Sequence, residues 1–95
     1  MALQTTVLPP VRDPRQPVQH ELDPFRSSGQ LVQLSIIIRR TDDGAWRGRL
    51  RFMDPESSRE LETAEIFYAA SEGDLWDAVR DLRGHHVRDL YRSLD

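Results

Sequence analysis

The chain contains no cysteine and no lysine. The first absence removes disulfides and thiolate metal sites, and with them the usual support of a small secreted domain. The second excludes a Schiff-base lysine and the lysine of an ordinary nucleotide-binding loop, since all thirteen basic residues are arginine. Aromatic residues make up only 7% of the chain, and no apolar run approaches the roughly 20 residues of a membrane span. The amino terminus lacks the apolar stretch of a signal peptide, so the cytoplasm is the expected compartment. No nucleophile elbow, glycine-rich phosphate loop or histidine–glutamate zinc helix occurs. The expectation is a protein without catalysis, metal or cofactor.

What is present describes one ordinary small domain: 95 residues, 38% hydrophobic, with a formal charge of -3. Its clearest segment is the last, Asp74 to Leu94. Leu75, Val79, Leu82, Leu90 and Leu94, joined by Trp76, Val87 and Tyr91, recur at intervals of three, four and seven, which is the apolar stripe of an amphipathic helix. Asp77, Arg80, Asp81, Arg83, Arg88, Asp89 and Arg92 occupy the opposite face. Ser71, three positions before Asp74, resembles a capping box and marks the start. Gly84 costs about 1 kcal/mol relative to alanine inside a helix. The helix therefore either tolerates it for close packing or divides there.

Upstream, residues 1–29 hold all but one of the six prolines and show no sustained hydrophobic period. This stretch reads as a flexible, disordered arm, with Phe25 placed to close the edge of the core or to anchor on a partner. Strand character begins at Leu31, where Val32, Leu34, Ile36 and Ile38 alternate with Gln33, Ser35, Ile37 and Arg39. Asp43-Gly44 supplies a hairpin turn of the kind with positive backbone angles. In the next strand Trp46, Leu50 and Phe52 point one way, and Arg47, Arg49 and Arg51 the other. A third strand, Glu60 to Ala69, departs from strict alternation and suggests a bulge or burial on both sides. The order predicts an α+β domain over residues 30–95, an antiparallel meander of three strands with a fourth left open, and a carboxy-terminal helix on one face.

A domain this small buries a limited share of its surface and leaves strand edges open, which points to a homodimer. Trp76, Val87, Tyr91 and Phe25 are the candidate residues for a dimer or partner interface. Charge is two-sided. Residues 31–59 carry six arginines against four carboxylates, and residues 60–95 carry four against nine. Arg39, Arg47, Arg49 and Arg51, with an exposed Tyr68 or Phe67 for stacking, would suit a single-stranded nucleic acid. Alternatively Glu60, Glu62 and Glu65 neutralise them as cross-strand pairs.

The succession of alternating strand, Asp-Gly turn, Arg-bearing strand, Met53-Asp54-Pro55-Glu56 loop, further strand, and helix opening near Leu75-Trp76 resembles the single-stranded-DNA-binding fold of Whirly proteins and related transcriptional coactivators. The resemblance covers Leu31 to Leu94. It implies dimerisation through the helix and single-strand binding on a curved sheet by Arg39, Arg47, Arg49, Arg51 and Trp46. Adjacent His85 and His86 point about 100° apart on a helix and cannot share a metal. His86, between Leu82 and Leu90, reads as a structural imidazole. The leading expectation is a protein-interaction or regulatory adaptor with an unidentified protein partner; the alternative is single-stranded nucleic acid binding.

Overall fold

The computed structural model describes residues 16–82 and 84–94. It is an α+β unit in which one antiparallel sheet carries two helices on a single face. The elements run β1 (Val18–Ser27), β2 (Gln30–Arg40), β3 (Trp46–Asp54), β4 (Arg59–Glu62), β5 (Phe67–Ala69), α1 (Glu72–Arg80) and α2 (Gly84–Leu94). The sheet order is β1-β2-β3-β4, and β5 pairs with the other end of β3. None of the helices among the described residues is long and apolar enough to cross a membrane.

The open fourth strand lies ahead of the other three. Val18 to Ser27, expected to be part of the arm, pairs along β2 from Val18 opposite Ile38 to Ser27 opposite Gln30. Residues 1–15 of that arm lie outside the described residues. The turn explains the difference: Ser28 and Gly29 both adopt positive φ, at 52° and 81°, the type I′ geometry that matches the twist of a two-residue hairpin. Once β1 is hydrogen-bonded to β2, Val18, His20 and Leu22 alternate onto the helix side. Asp23 and Pro24 then stand opposite the single residue Gln33, a bulge that accommodates a residue lacking a donor.

The β2–β3 hairpin closes differently from the expected Asp-Gly pair. Among its residues only Gly44 has positive φ, at 85°. The Gly44 N–H donates to the Thr41 carbonyl at 3.0 Å and the Thr41 N–H to the Ala45 carbonyl at 2.8 Å. Asp43 serves this loop through its side chain, accepting from the Thr41 hydroxyl and the Ala45 N–H.

The core lies between the sheet and the helices. Val32, Leu34, Ile36 and Ile38 of β2, Leu50 and Phe52 of β3 and Phe67 of β5 meet Leu75, Val79 and Val87 of the helices. Ile36, Leu50, Phe52 and Leu75 are fully buried, each such side chain contributing about 1.5–3 kcal/mol. Gly48 keeps this face low, because a Cβ there would come 3.3 Å from Ile36 Cδ1 and 3.5 Å from Phe67 Cβ. Ser71 caps α1, its Oγ accepting from the Asp74 N–H at 3.1 Å. The long helix divides: α1 ends at Arg80 and α2 begins at Gly84. The break reorients α2 so that Val87 faces inward. His86 is thereby exposed, its ring tilted against that of His85 with centroids 4.0 Å apart, and is not the packed imidazole expected from an unbroken helix.

The irregular third strand resolves into β4 and β5, and buried Thr63 fills the gap between them. Its N–H donates to the Leu50 carbonyl at 2.9 Å, and its hydroxyl accepts from the Leu50 N–H at 3.0 Å. A side chain thus replaces the missing rung of the ladder. Thr63→Val keeps the shape but strands the Leu50 N–H in the core, so a loss of about 1–3 kcal/mol in urea unfolding is expected. Thr63→Ser, which keeps the hydroxyl, should lose clearly less. Equal losses would show that packing, and not this bond, sets the cost.

Candidate functional site: the arginine face and the outer edge of β1

Strand register decides what surrounds the arginines. On the face away from the helices, Arg39 stands opposite Arg47, Ile37 opposite Arg49 and Ser35 opposite Arg51. The neighbouring strands place Glu62 opposite Arg51, Glu60 opposite Met53 and Tyr68 opposite Arg47. Ion pairs follow. Arg51 meets Glu60 at 2.5 Å and Glu62 at 3.9 Å, Arg49 meets Glu62 at 3.4 Å, and Arg39 holds Glu65 through two bonds of 2.7 and 2.8 Å. Ile37, between Gln19 and Arg49 across the sheet, is buried although it faces away from the helices. Arg47 lies 4.9 Å from the ring centroid of Tyr68, a residue that is 61% exposed.

The Arg39 guanidinium lowers the Glu65 carboxyl pKa, first by hydrogen bonding and then by charge, against the opposing effect of partial burial. Arg39 is raised reciprocally by the same bonds, and Arg51 is raised by its bond to Glu60. The Asp43 carboxyl is lowered chiefly by the Thr41 hydroxyl. The arginine face is thus largely a set of matched pairs, with Arg47 and Tyr68 at one end.

The second feature is the edge of β1. Ser27 and Gln30 flank a two-residue turn and form the narrow hydrogen-bonded pair, so even-numbered residues of β2 bond to β1 and odd-numbered ones to β3. The peptide groups of Gln19, Glu21 and Arg26 consequently point away from the sheet. The same alternation turns Leu50 towards the outer strand, as its two bonds to Thr63 require. Beside this edge, next to the bulge, lies a cleft of about 420 Å³ lined chiefly by Leu22, Pro24, Phe25, Val79, Leu82 and Val87.

The candidate residues separate into two groups. Arg39, Arg47, Arg49, Arg51 and Tyr68 share the open face. Trp46 does not join them: it lies on the helix side, half-buried against the core. Phe25 and Tyr91 pack on one another at 5.7 Å and both on Phe52, Val87 is buried, and Trp76 meets His20 edge-on at 5.1 Å. Phe25, Val87 and Tyr91 therefore serve the chain's own core, and Trp76 stays half-buried beside β1. Gln19 and His20 were absent from the sequence-based candidates, and Leu22 was read only as an anchor of a docking arm. Their signals were the alternation Val18, His20, Leu22 and the Ser28-Gly29 turn. Among the described residues no three histidines or acids gather to hold a metal.

No protein-family model, curated protein or solved structure matches the chain.

Because the Glu65 pKa is lower in the folded state, its pair with Arg39 stabilises the fold above the ordinary glutamate value of about 4.3. That contribution disappears as pH falls through the lower folded value. Glu65→Gln should therefore flatten the stability-versus-pH curve below about pH 4.3. A curve parallel to wild type there, measured by urea unfolding, would assign the acid sensitivity to other carboxylates.

Proposed function

We propose that this chain is a small non-catalytic module that binds protein, with the outer edge of β1 and the adjoining apolar cleft as its contact surface. The observation that carries this reading is the juxtaposition of outward-pointing peptide groups at Gln19 and Glu21 with the cleft lined by Leu22, Phe25, Leu82 and Val87. An extended segment added to a strand edge gains main-chain hydrogen bonds, and a neighbouring pocket selects its side chains. Pro24 and the bulge restrict that addition to the regular half of the strand, Val18 to Leu22.

Single-stranded nucleic acid binding, the function that the Whirly resemblance implies, has one observation in its favour: the exposed Tyr68 under Arg47. Against it, Arg39, Arg49 and Arg51 already hold glutamates. A polyanion would have to displace these carboxylates or bind beside them, and affinity for phosphates depends on unneutralised positive charge.

Peptides selected from a displayed library against the immobilised chain should shift backbone resonances of Val18–Leu22 and of the cleft. They should lose affinity for Gln19→Pro, which removes an outward donor. A labelled single-stranded oligonucleotide should show no saturable anisotropy change at micromolar protein. Salt-sensitive micromolar oligonucleotide binding that Arg47→Ser with Arg49→Ser abolishes would instead establish the nucleic-acid reading. Peptide binding indifferent to Gln19→Pro would remove the edge from the account.

A further inference from the structure

We infer that the strand received by the β1 edge is β1 of a second copy of this chain, paired antiparallel about a twofold axis at His20. The inference rests on the reading of that edge as the binding surface. The bulge at Asp23-Pro24 ends the regular stretch, leaving Val18 to Leu22 available. A five-residue strand that pairs with its own copy over its full length has one register, centred on its middle residue. His20 then faces His20 of the second copy, Gln19 faces Glu21 of the second copy, and Val18 faces Leu22 of the second copy.

Three observations favour that register. The pairs formed by Gln19 and Glu21 are the hydrogen-bonded ones, because theirs are the peptide groups that point outward. The polar groups are compatible as well. Glu21 is exposed and makes no ion pair among the described residues, whereas Gln19 accepts a 3.0 Å bond from the Arg51 guanidinium. Glu21 of the second copy would arrive opposite the Gln19 amide, next to Arg51, whose charge Glu60 and Glu62 already offset. On the helix side, Val18, His20, Leu22 and Trp76 are each only half-buried in one copy. Across the axis the two His20–Trp76 edge contacts would come together and close this strip. With four new backbone bonds and a short overlap the contact falls among the smaller interfaces, below about 1,200 Å², so dissociation on dilution is expected.

The cysteine-free sequence permits a register-specific test. His20→Cys places two sulfurs at a non-hydrogen-bonded cross-strand pair, with Cα atoms about 4.5 Å apart, inside the range a disulfide accepts. Under mild oxidation this variant should convert to a covalent dimer, while Gln19→Cys, Glu21→Cys and Arg26→Cys should cross-link at least tenfold more slowly. Light scattering of the unmodified chain should show mass rising towards the dimer with concentration. Glu21→Pro, which removes an outward N–H donor from the edge, should move that transition to higher concentration without changing the monomer's circular dichroism. A constant monomeric mass with slow His20→Cys cross-linking overturns the inference. So does preferential cross-linking at position 26, or protection of the Gln19 and Glu21 amides in a monomer, which would place residues 1–15 on the edge. The peptide selection with Gln19→Pro is independent of these outcomes, so self-pairing can fail while the edge survives as a protein-binding surface.

Discussion

The constraint on which this structure depends is the period of two along β2. Ile36 is fully buried at its centre, with His20 opposite on β1 and Leu50 opposite on β3. A slip of one residue would turn Val32, Leu34, Ile36 and Ile38 outward and bring Gln33, Ser35 and Arg39 under the helices. The same period sets the chemistry of the other face. By fixing Ser35 opposite Arg51, Ile37 opposite Arg49 and Arg39 opposite Arg47, it sets which arginines meet the carboxylates of β4 and of the β4–β5 connection. Burial on one side and neutralisation on the other are therefore consequences of a single register.

The two margins of the sheet are handled differently. At the β3 side the outer strand is broken, and Thr63 supplies with its side chain the bond that a regular residue would have supplied with its backbone. At the β1 side the break comes from Asp23 and Pro24, whose bulge shortens the stretch able to accept another strand and borders a cleft. A long, flat, apolar edge invites indiscriminate pairing; a short one bounded by proline admits a partner over a defined length. The specificity proposed for this surface comes from that boundary.

Much of the fold was legible because β2, β3 and the helical residues carry strong periodic patterns. The cap at Ser71, the apolar position of Gly48 and the outward set of arginines all follow from residue spacing alone. The first strand was hidden by composition: Pro17 precedes it, Pro24 lies within it, and only half of its residues alternate cleanly before the bulge. Its pairing depends on the neighbour it meets in the fold, which local propensity does not report. The division of the last helix was legible as a choice at Gly84 but not its outcome, which moved His86 to the surface. The candidate site divided along the same line. The carboxylate partners of the arginines were open until register was known, and the edge residues Gln19 and Glu21 lay inside a segment read as an arm.

The central claim is that Val18–Ser27 is an integral strand with one bonded and one open edge, and amide hydrogen exchange resolved by residue tests it most directly. At protein concentrations low enough to hold the monomer, the amides of Val18, His20, Leu22 and Phe25 should exchange slowly, and those of Gln19, Glu21 and Arg26 rapidly. Such alternation would be the signature of an edge strand bonded to β2 alone. Uniformly rapid exchange from Val18 to Ser27 would contradict the account, return the segment to an unpaired arm, and remove the surface on which the proposed function stands.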